Sequence, residues 1–464
     1  MKTTRVIATL LLGLSLAGCA TVGPNFRKPE VVTPVQWHGS PPAGVSPEAA
    51  DPKVLARWWK TLDDPLLDRL VERGLDNALT LKTARAQVRE ARAKRQGSVA
   101  GLSPTLDASA SATRNATHAK GIGWNSTGLF SGGFDARWEI DLFGGTRRAI
   151  EAADADLAAG GENLNDVRVT LLAEIASTYV QLRVDQARLT SAEDTLKMQE
   201  ETLGLVQSRV EAGLTDELAL EQARTNLESS RSQIPSLRSG IETAMNALAV
   251  LTGENPGTLH KTLRESGPVP AVPLTVALGV PADLLRRRPD IRKAEADLAA
   301  QTARVGVATA DLYPKFALSG AISFSGVSLL SPALASAGAG PGVSWALFDG
   351  GAVRSNIAAQ DARLEQALIA WRATVLDALK EVQDAMSDYS EEKARRDALG
   401  RSVSAAEKAA QLAQDKYAAG MTDFTTVLDS ERSLLALRDQ RVQSEGTITT
   451  DLVRLYKALG GGWE

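Results

Sequence analysis

The side chains of this 464-residue chain that could perform chemistry are few and scattered. It has one cysteine, Cys19, and its three histidines, His38, His118 and His260, lack the spacing of metal ligands. No nucleophile motif, phosphate-binding loop or cofactor fingerprint is present. The net charge of -4 and the pI near 5.7 argue against nucleic-acid binding. We therefore expect no catalytic residue, no metal site and no cofactor, and predict that the protein is not an enzyme.

The one motif that indicates a covalent reaction lies at the start of the chain. Basic residues and the apolar run 6–12 precede the segment Leu16-Ala17-Gly18-Cys19. This order predicts a secretory signal peptide over residues 1–18. The segment resembles the lipobox of bacterial lipoproteins, in which the thiol accepts a diacylglycerol and the new amino terminus is acylated. We expect Cys19 to carry these chains and to hold the protein on membrane lipid; the alternative is a signal peptide that merely contains a thiol.

The chain repeats its own pattern at an offset of about 207 residues. Asp141-Leu142-Phe143-Gly144-Gly145 returns as Leu347-Phe348-Asp349-Gly350-Gly351, and the distance from Gly213 to Gly253 equals that from Gly420 to Gly460. A duplication this constant in length predicts matched, paired elements. The predicted organisation is a signal peptide (1–18), an extended amino-terminal segment (19–62), a first repeat (63–253) with a β-hairpin at 105–142, a connector (254–282), and a second repeat (283–464) with a β-hairpin at 315–348.

The sequence predicts strands rather than helices for any membrane crossing. After the signal peptide no run of 18 or more apolar residues occurs. Four stretches alternate instead, most clearly residues 134–142, which are apolar at even positions and charged at odd ones. Such strands offer one face to lipid and one to water, and the alternative is the solvated side of a soluble sheet. The Gly- and Ser-rich residues 119–128 and 327–339 are predicted hairpin loops.

Four strands cannot close a barrel, because closed barrels need about eight or more. The chain must therefore oligomerise if these strands cross a membrane.

The remaining sequence is predicted to be helical. Apolar residues recur at seven-residue intervals, which is typical of a coiled coil, and a helix from Thr146 to about Ala212 would reach ~100 Å. Gly213 and Gly420 are predicted to end the two long helices, because glycine accepts the left-handed geometry of a helix stop. Thr215 and Thr422 are predicted to cap the helices that follow. Both turns should lie together at one end.

Motifs spread over nearly the whole mature chain are similar to those of one family. They are Cys19 followed by Val22-Gly23-Pro24-Asn25-Phe26, Trp58-Trp59 with Asp64-Pro65, Asp141-Leu142-Phe143-Gly144, Arg287-Arg288-Pro289-Asp290-Ile291 and Phe348-Asp349-Gly350-Gly351. Together they resemble the outer membrane factors of the TolC superfamily, in the lipoprotein branch often called NodT-type.

The resemblance implies an α+β membrane protein in the bacterial outer membrane. It implies a homotrimer whose four strands per subunit form one shared 12-stranded transmembrane β-barrel, continued by a long α-helical coiled-coil tunnel through the periplasm. It also implies export of small molecules, with a periplasmic adaptor protein and an inner-membrane RND pump as partners.

The resemblance also implies roles for particular residues. In related channels a ring of charged residues closes the periplasmic end, and residues 427–434 match that motif, so Asp429 and Arg432 are candidate gate residues. On a helix, such a pair is otherwise an ordinary surface ion pair. Thr425 stands where the family often has a bulky apolar residue. The turns implied to contact the adaptor contain Gly213, Thr215, Asp216, Gly420, Thr422 and Asp423.

Three other functions stay open at this point. A channel of the same fold could serve protein secretion through an ABC transporter. A lipoprotein of long coiled coils could be an envelope spacer or adhesin, although it would not need alternating strands at matched places in two repeats. A lipid-anchored hydrolase would need a cluster of His, Asp and Ser, for which the sequence gives no indication.

Overall fold

The computed structural model describes residues 21–30, 34, 36–38, 45–46, 48, 51–273, 275–277, 279–327 and 334–463. Cys19 and the predicted signal peptide lie outside the described residues. The chain divides into two compact units, and each draws on both sequence repeats. The first contains residues 86–161 and 293–373 with the described part of 1–31. The second contains residues 162–292 and 374–464 with the described part of 32–85.

The two repeats contain the same elements in the same order. Short elements in the amino-terminal segment and in the connector flank them. The elements are β1 (Val45–Ser46), α1 (Pro52–Ala56), a 3-10 turn (Trp58–Leu62), α2 (Pro65–Asn77), α3 (Leu79–Ala100), β2 (Thr105–Ala119), β3 (Gly123–Ile140), α4 (Gly145–Glu211), α5 (Glu217–Leu251), α6 (His260–Leu263), β4 (Val276–Ala277), α7 (Pro281–Arg287), α8 (Pro289–Ala310), β5 (Lys315–Gly326), β6 (Leu334–Ser344), α9 (Ala352–Ala418) and α10 (Phe424–Ala458).

In the first unit, the four long strands form one antiparallel sheet in the order β2-β3-β5-β6. Phe134 pairs with Ile322 and Trp138 pairs with Leu318, so the apolar positions of neighbouring strands share a face. The opposite face is polar: Ser111 and Ser131, which are also paired, share a hydrogen bond of 2.8 Å. The predicted alternation is confirmed.

The predicted hairpin loops were too long. Residues 123–128 belong to β3 and residues 334–339 belong to β6. Glycine and serine weaken a strand only slightly when a neighbouring strand supplies the backbone partners, and here the ladder outweighs local propensity. Composition alone therefore misplaced these strand ends.

The long helices of the two repeats have equal lengths. Helices α4 and α9 each contain 67 residues, and α5 and α10 each contain 35. Helix α4 spans Gly145–Glu211, which confirms the predicted helix from Thr146 to about Ala212. Among the described residues, no helix has both the length and the hydropathy needed to cross a membrane.

In the second unit, the Trp58-Trp59 motif packs against the helices. The indole of Trp58 is buried and stacks on Tyr456 with 5.5 Å between ring centroids. Asp64 caps α2 by accepting from the backbone N–H of Leu66 at 2.8 Å, and its other oxygen accepts from the Tyr179 hydroxyl at 2.7 Å. The Trp-Trp and Asp-Pro pairs of the sequence thus hold α2 against α4 and α10.

The Arg287-Arg288-Pro289-Asp290-Ile291 motif, at the start of α8, contains a buried arginine. Arg288 is 8% exposed, pairs with Asp290 at 2.6 Å and with Glu381 at 2.7 Å, and donates to the Ala458 carbonyl at 2.9 Å. The fixed guanidinium fork thereby ties α9 and the end of α10 to this turn.

Helices α4 and α10 approach each other closely at one glycine. A Cβ added to Gly446 would lie 2.1 Å from Val184 Cγ2, and Val184 is itself buried. Valine has little freedom at χ1, so this side chain cannot rotate away without cost. The position therefore requires the absence of a side chain.

We expect Gly446→Ala to destabilise the protein by about 1–3 kcal/mol through overpacking. Gly400 is the matched control, because it lies inside α9 and an added Cβ would meet nothing within 4 Å. Gly400→Ala should raise stability by about 0.5–1 kcal/mol through helix propensity. Thermal unfolding of detergent-solubilised protein measures both, and equal shifts in the two variants would contradict the close approach.

Candidate functional site

The two helical turns have the same backbone geometry. Gly213 and Gly420 both adopt a φ of 70°, in the left-handed region. Leu214 N donates to the Arg209 carbonyl and Met421 N donates to the Lys416 carbonyl, both at 2.8 Å. These are the bonds of a helix stop with glycine in the left-handed position, as predicted for both residues.

The caps of the returning helices are aspartates rather than threonines. Asp216 accepts from the backbone N–H of Ala219 at 3.1 Å, and Asp423 accepts from that of Thr426 at 3.2 Å. The prediction that Thr215 and Thr422 form the caps is wrong. The N-cap residue must stand immediately before the first helical residue, and a carboxylate there also interacts favourably with the helix dipole.

The two turns lie together, as predicted. The Arg209 guanidinium packs over the Tyr417 ring at 4.6 Å and donates to the Tyr417 carbonyl at 2.6 Å. Tyr417 also contacts Phe424, within a buried cluster that draws on α4, α5, α9 and α10. Outside this cluster the turns expose large apolar side chains, with Leu214 67% and Met421 74% exposed.

The two candidate gate residues lie on the exposed side of α10 and do not pair with each other. Arg432 Nε donates instead to Asn226 Oδ1 on α5 at 3.1 Å. Within the described residues Asp429 has no ion-pair partner. Thr425, where the family often has an apolar residue, donates its hydroxyl to Asp423 at 2.8 Å. The pair is therefore not the ordinary surface ion pair considered as an alternative.

A buried carboxylate, Glu431, lies between the two candidate gate residues in the sequence. Glu431 is 6% exposed, and its Oε1 accepts from Thr202 on α4 at 3.1 Å and from Gln414 on α9 at 3.0 Å. Burial raises the pKa of this carboxyl above its ordinary value. No motif of the sequence indicates a role for Glu431, although its position carries a signal: it lies four residues after Val427 and three before Leu434, on the same helix face as these apolar residues.

A second buried carboxylate lies further along the same helix. Asp451 is 3% exposed and follows Ile448 at the spacing of the stripe. Burial raises its pKa to about 6, and the nearby carboxylates of Asp388 and Glu392 on α9 add to this, while Arg454 opposes it. Asp451 therefore gains a proton at a pH well above that of an ordinary aspartate.

In the first unit, the residues that follow Cys19 bind at the end of the sheet. Arg148 is 2% exposed and donates to the Val22 carbonyl at 2.9 Å and to Asn25 Oδ1 at 2.7 Å. Val22 N donates to the Phe143 carbonyl at 3.1 Å, directly after β3. The amino-terminal motif thus fixes this stretch beside the start of α4. Cys19 itself lies outside the described residues.

The described residues contain no group of three or more His, Cys, Asp or Glu side chains that could hold a metal ion. Within the structure, His260 pairs with Glu242 at 2.7 Å, and His118 packs against Trp124. The site therefore consists of helix turns, exposed charges and buried carboxylates.

Comparison with known proteins assigns the chain to a family. The sequence model of a family described as "Outer membrane efflux protein" matches residues 70–254 and 280–461. The chain is 31% identical over 460 residues to "Nodulation protein T" of Rhizobium leguminosarum bv. viciae, covering 98% of this chain and 93% of that protein. It is 33% identical to "Pyoverdine export outer membrane protein OpmQ" of Pseudomonas putida, covering 100% and 99%. The solved structure of the outer-membrane channel OprN superposes with a TM-score of 0.85 at 36% identity, covering 96% of this chain and 100% of that one.

The raised pKa of Asp451 predicts a specific dependence of stability on pH. The folded chain holds the proton up to about pH 6, whereas the unfolded chain loses it near pH 3.8, so stability falls as pH rises between these values. Asp451→Asn removes this loss. We expect the gain from this substitution to be larger at pH 7.5 than at pH 4.5 by about 1–2 kcal/mol, because most of the loss develops between these two values.

Thermal unfolding at the two pH values measures this effect. Glu445→Gln is the control, because Glu445 forms a solvent-accessible pair with Arg441 on the same helix. A gain from Asp451→Asn that is equal at both pH values would show that the carboxyl keeps an ordinary pKa.

Proposed function

Because the chain belongs to the outer membrane efflux protein family, we propose that it is the outer membrane channel of a tripartite efflux system. In this role it conducts small molecules passively from the periplasm to the outside. The observation that carries the proposal is the match of both repeats, each with its strand pair and long helices, to one family of outer membrane channels.

The proposed assembly is a homotrimer. Strands β2 and β6 are the edges of the four-stranded sheet, and within the described residues neither edge has a second partner. A sheet in lipid must have every backbone group paired, and a barrel needs about eight or more strands. Three copies joined edge to edge would supply 12 strands, which agrees with the number that the family resemblance implies. Acylated Cys19 would add a lipid anchor to each copy.

The proposed partners are a periplasmic adaptor and an inner-membrane RND pump. The turns around Gly213 and Gly420 support this, because they match in geometry and expose apolar residues at Leu214 and Met421. Exposed apolar side chains with a rim of polar residues are typical of an interaction surface. Thr215, Asp216, Thr422 and Asp423 form that polar rim.

The proposed gate is formed by Asp429 and Arg432. Both lie on the exposed side of α10, so in a trimer their charges would be available to the other copies. Arg432 also binds Asn226 of its own chain. Opening would then be an iris-like shift of the helix pairs that the adaptor favours when it binds at the turns.

The transported compounds would be chosen by the pump. The similar proteins are described by different roles, nodulation in one and pyoverdine export in the other, although each resembles this chain over nearly its whole length. A wide polar passage selects little by itself. The substrate class of this channel is therefore a small molecule supplied by its pump.

We expect Asp429→Ala and Arg432→Ala to raise single-channel conductance in planar bilayers, because each removes one member of the charged constriction. Arg441→Ala, an exposed charge on the same helix, is the control. Asn226→Ala separates two mechanisms: it reproduces the effect of Arg432→Ala only if the bond within the chain holds the gate. Unchanged conductance in both single variants and in the double variant would exclude these residues as the gate.

We expect a photo-reactive residue at position 422 to capture a periplasmic adaptor in living cells. Thr447 is the control position, since it is exposed on α10, ~35 Å along the helix from its first residue, Phe424. Mass spectrometry identifies the captured protein. An RND-type adaptor supports the proposed function, and an adaptor of an ABC exporter would assign the channel to protein secretion. No adaptor, from a correctly localised trimer, would favour the envelope-spacer alternative.

A further inference from the structure

A cavity of about 390 Å³ lies between three helices of the second unit, above the turns. We name it the Glu431 cavity, after the buried carboxylate in its wall. Each helix contributes one face: Thr195 and Gln199 from α4, Glu407 and Gln414 from α9, and Glu431 and Arg438 from α10. Its volume lies within the range of small-molecule sites, which is about 300–1,000 Å³.

Two buried side chains in its wall have polar atoms without partners. Gln199 is 3% exposed, and among the described residues neither its amide nitrogen nor its amide oxygen has a hydrogen-bond partner. Glu431 Oε2 also has none, although Oε1 accepts two hydrogen bonds. Buried polar atoms of native proteins are nearly always paired, because an unpaired one costs about 1–3 kcal/mol. The cavity therefore offers two unused acceptors and one unused donor.

The charge of the wall favours a cation. Arg438 donates to Glu407 Oε1 at 2.7 Å, so these two charges compensate each other. The lining side chains of α4 are neutral. The carboxylate of Glu431 is then the one lining charge without a counter-charge. An anion would find no free positive group here.

The donor set favours an organic cation over a metal ion. The described residues contain no group of three or more His, Cys, Asp or Glu, whereas calcium sites take 6–8 oxygen ligands, several of them carboxylates, and zinc takes His and Cys. Met198 and Leu434 supply an apolar wall beside the polar one. An ammonium group has three N–H donors and can carry a short alkyl chain, so it suits both walls.

We infer that the Glu431 cavity binds a small protonated primary amine. The ammonium group would donate to Glu431 Oε2 and to the Gln199 amide oxygen, and the alkyl chain would pack on Met198 and Leu434. This site lies within one chain, and the inference does not rest on the proposed function. An occupant would hold α10 against α4 and α9 directly above the turns.

Isothermal titration calorimetry of full-length, detergent-solubilised protein with n-butylammonium chloride tests the inference. We expect one site per chain. Glu431→Gln removes the negative charge that pairs with the ammonium group, and Gln199→Leu removes an acceptor, so each should weaken binding by about tenfold or more. Glu445→Gln, on the same helix but outside the cavity, should bind like the wild type. Butyltrimethylammonium keeps the charge and the alkyl chain but has no N–H donor, and should also bind at least about tenfold more weakly.

Two outcomes would overturn the inference. No binding of n-butylammonium to the wild type would show that the cavity is not a site for a primary amine. Equal binding by the wild type and both cavity variants would place the amine elsewhere. Because Gln199→Leu leaves the carboxylate and its two hydrogen bonds in place, the test holds even if Glu431→Gln fails to fold.

Discussion

The rest of the structure depends on how the backbone of the four-stranded sheet is satisfied. Within the described chain, β2 and β6 each leave one edge without a partner, and the strands expose large apolar side chains such as Phe134, Leu318 and Ile322. Lipid supplies no hydrogen bonds, so these edges are tolerable only when another strand pairs with them. The proposed trimer satisfies that requirement with identical copies. In such a trimer, the helices that follow each hairpin would be related by the same threefold symmetry as the strands.

The two halves of the chain contain long helices of matching lengths. Helices α4 and α9 have 67 residues each, and each is followed two residues later by a glycine with a φ of 70°. A residue with a side chain would be strained there, so the position of the turn is fixed by one glycine in each repeat. An insertion in only one repeat would separate the two turns and break the contact between Arg209 and Tyr417. This explains why the sequence keeps the same spacing in both repeats.

Much of this architecture could be predicted from the sequence, because strong periodicity determines it. The alternation in residues 134–142 and the glycines at 213 and 420 located the strands and turns. The strand ends could not be predicted, since backbone pairing overrides the weak preferences of glycine and serine. Threonine is a common cap, which favours Thr215 and Thr422 as the capping residues. The helices begin one residue later than this predicts, so Asp216 and Asp423 form the caps instead. The hydrogen bonds of Arg148 to residues 22–25 could not be predicted either, because they join residues more than 120 positions apart and no local sequence pattern indicates such contacts.

The acidic residues of α10 show why position on a helix matters more than residue type. Asp429 and Glu431 are two residues apart, so they point in different directions. Asp429 is exposed, so in the proposed trimer it would be available to other copies, whereas Glu431 is buried and binds α4 and α9 of its own chain. Loss of Asp429 would remove a charge from the proposed gate, and loss of the Glu431 charge would alter the packing of α10 on α4 and α9. Only the second should also change the stability of the isolated subunit, because only Glu431 is part of the core.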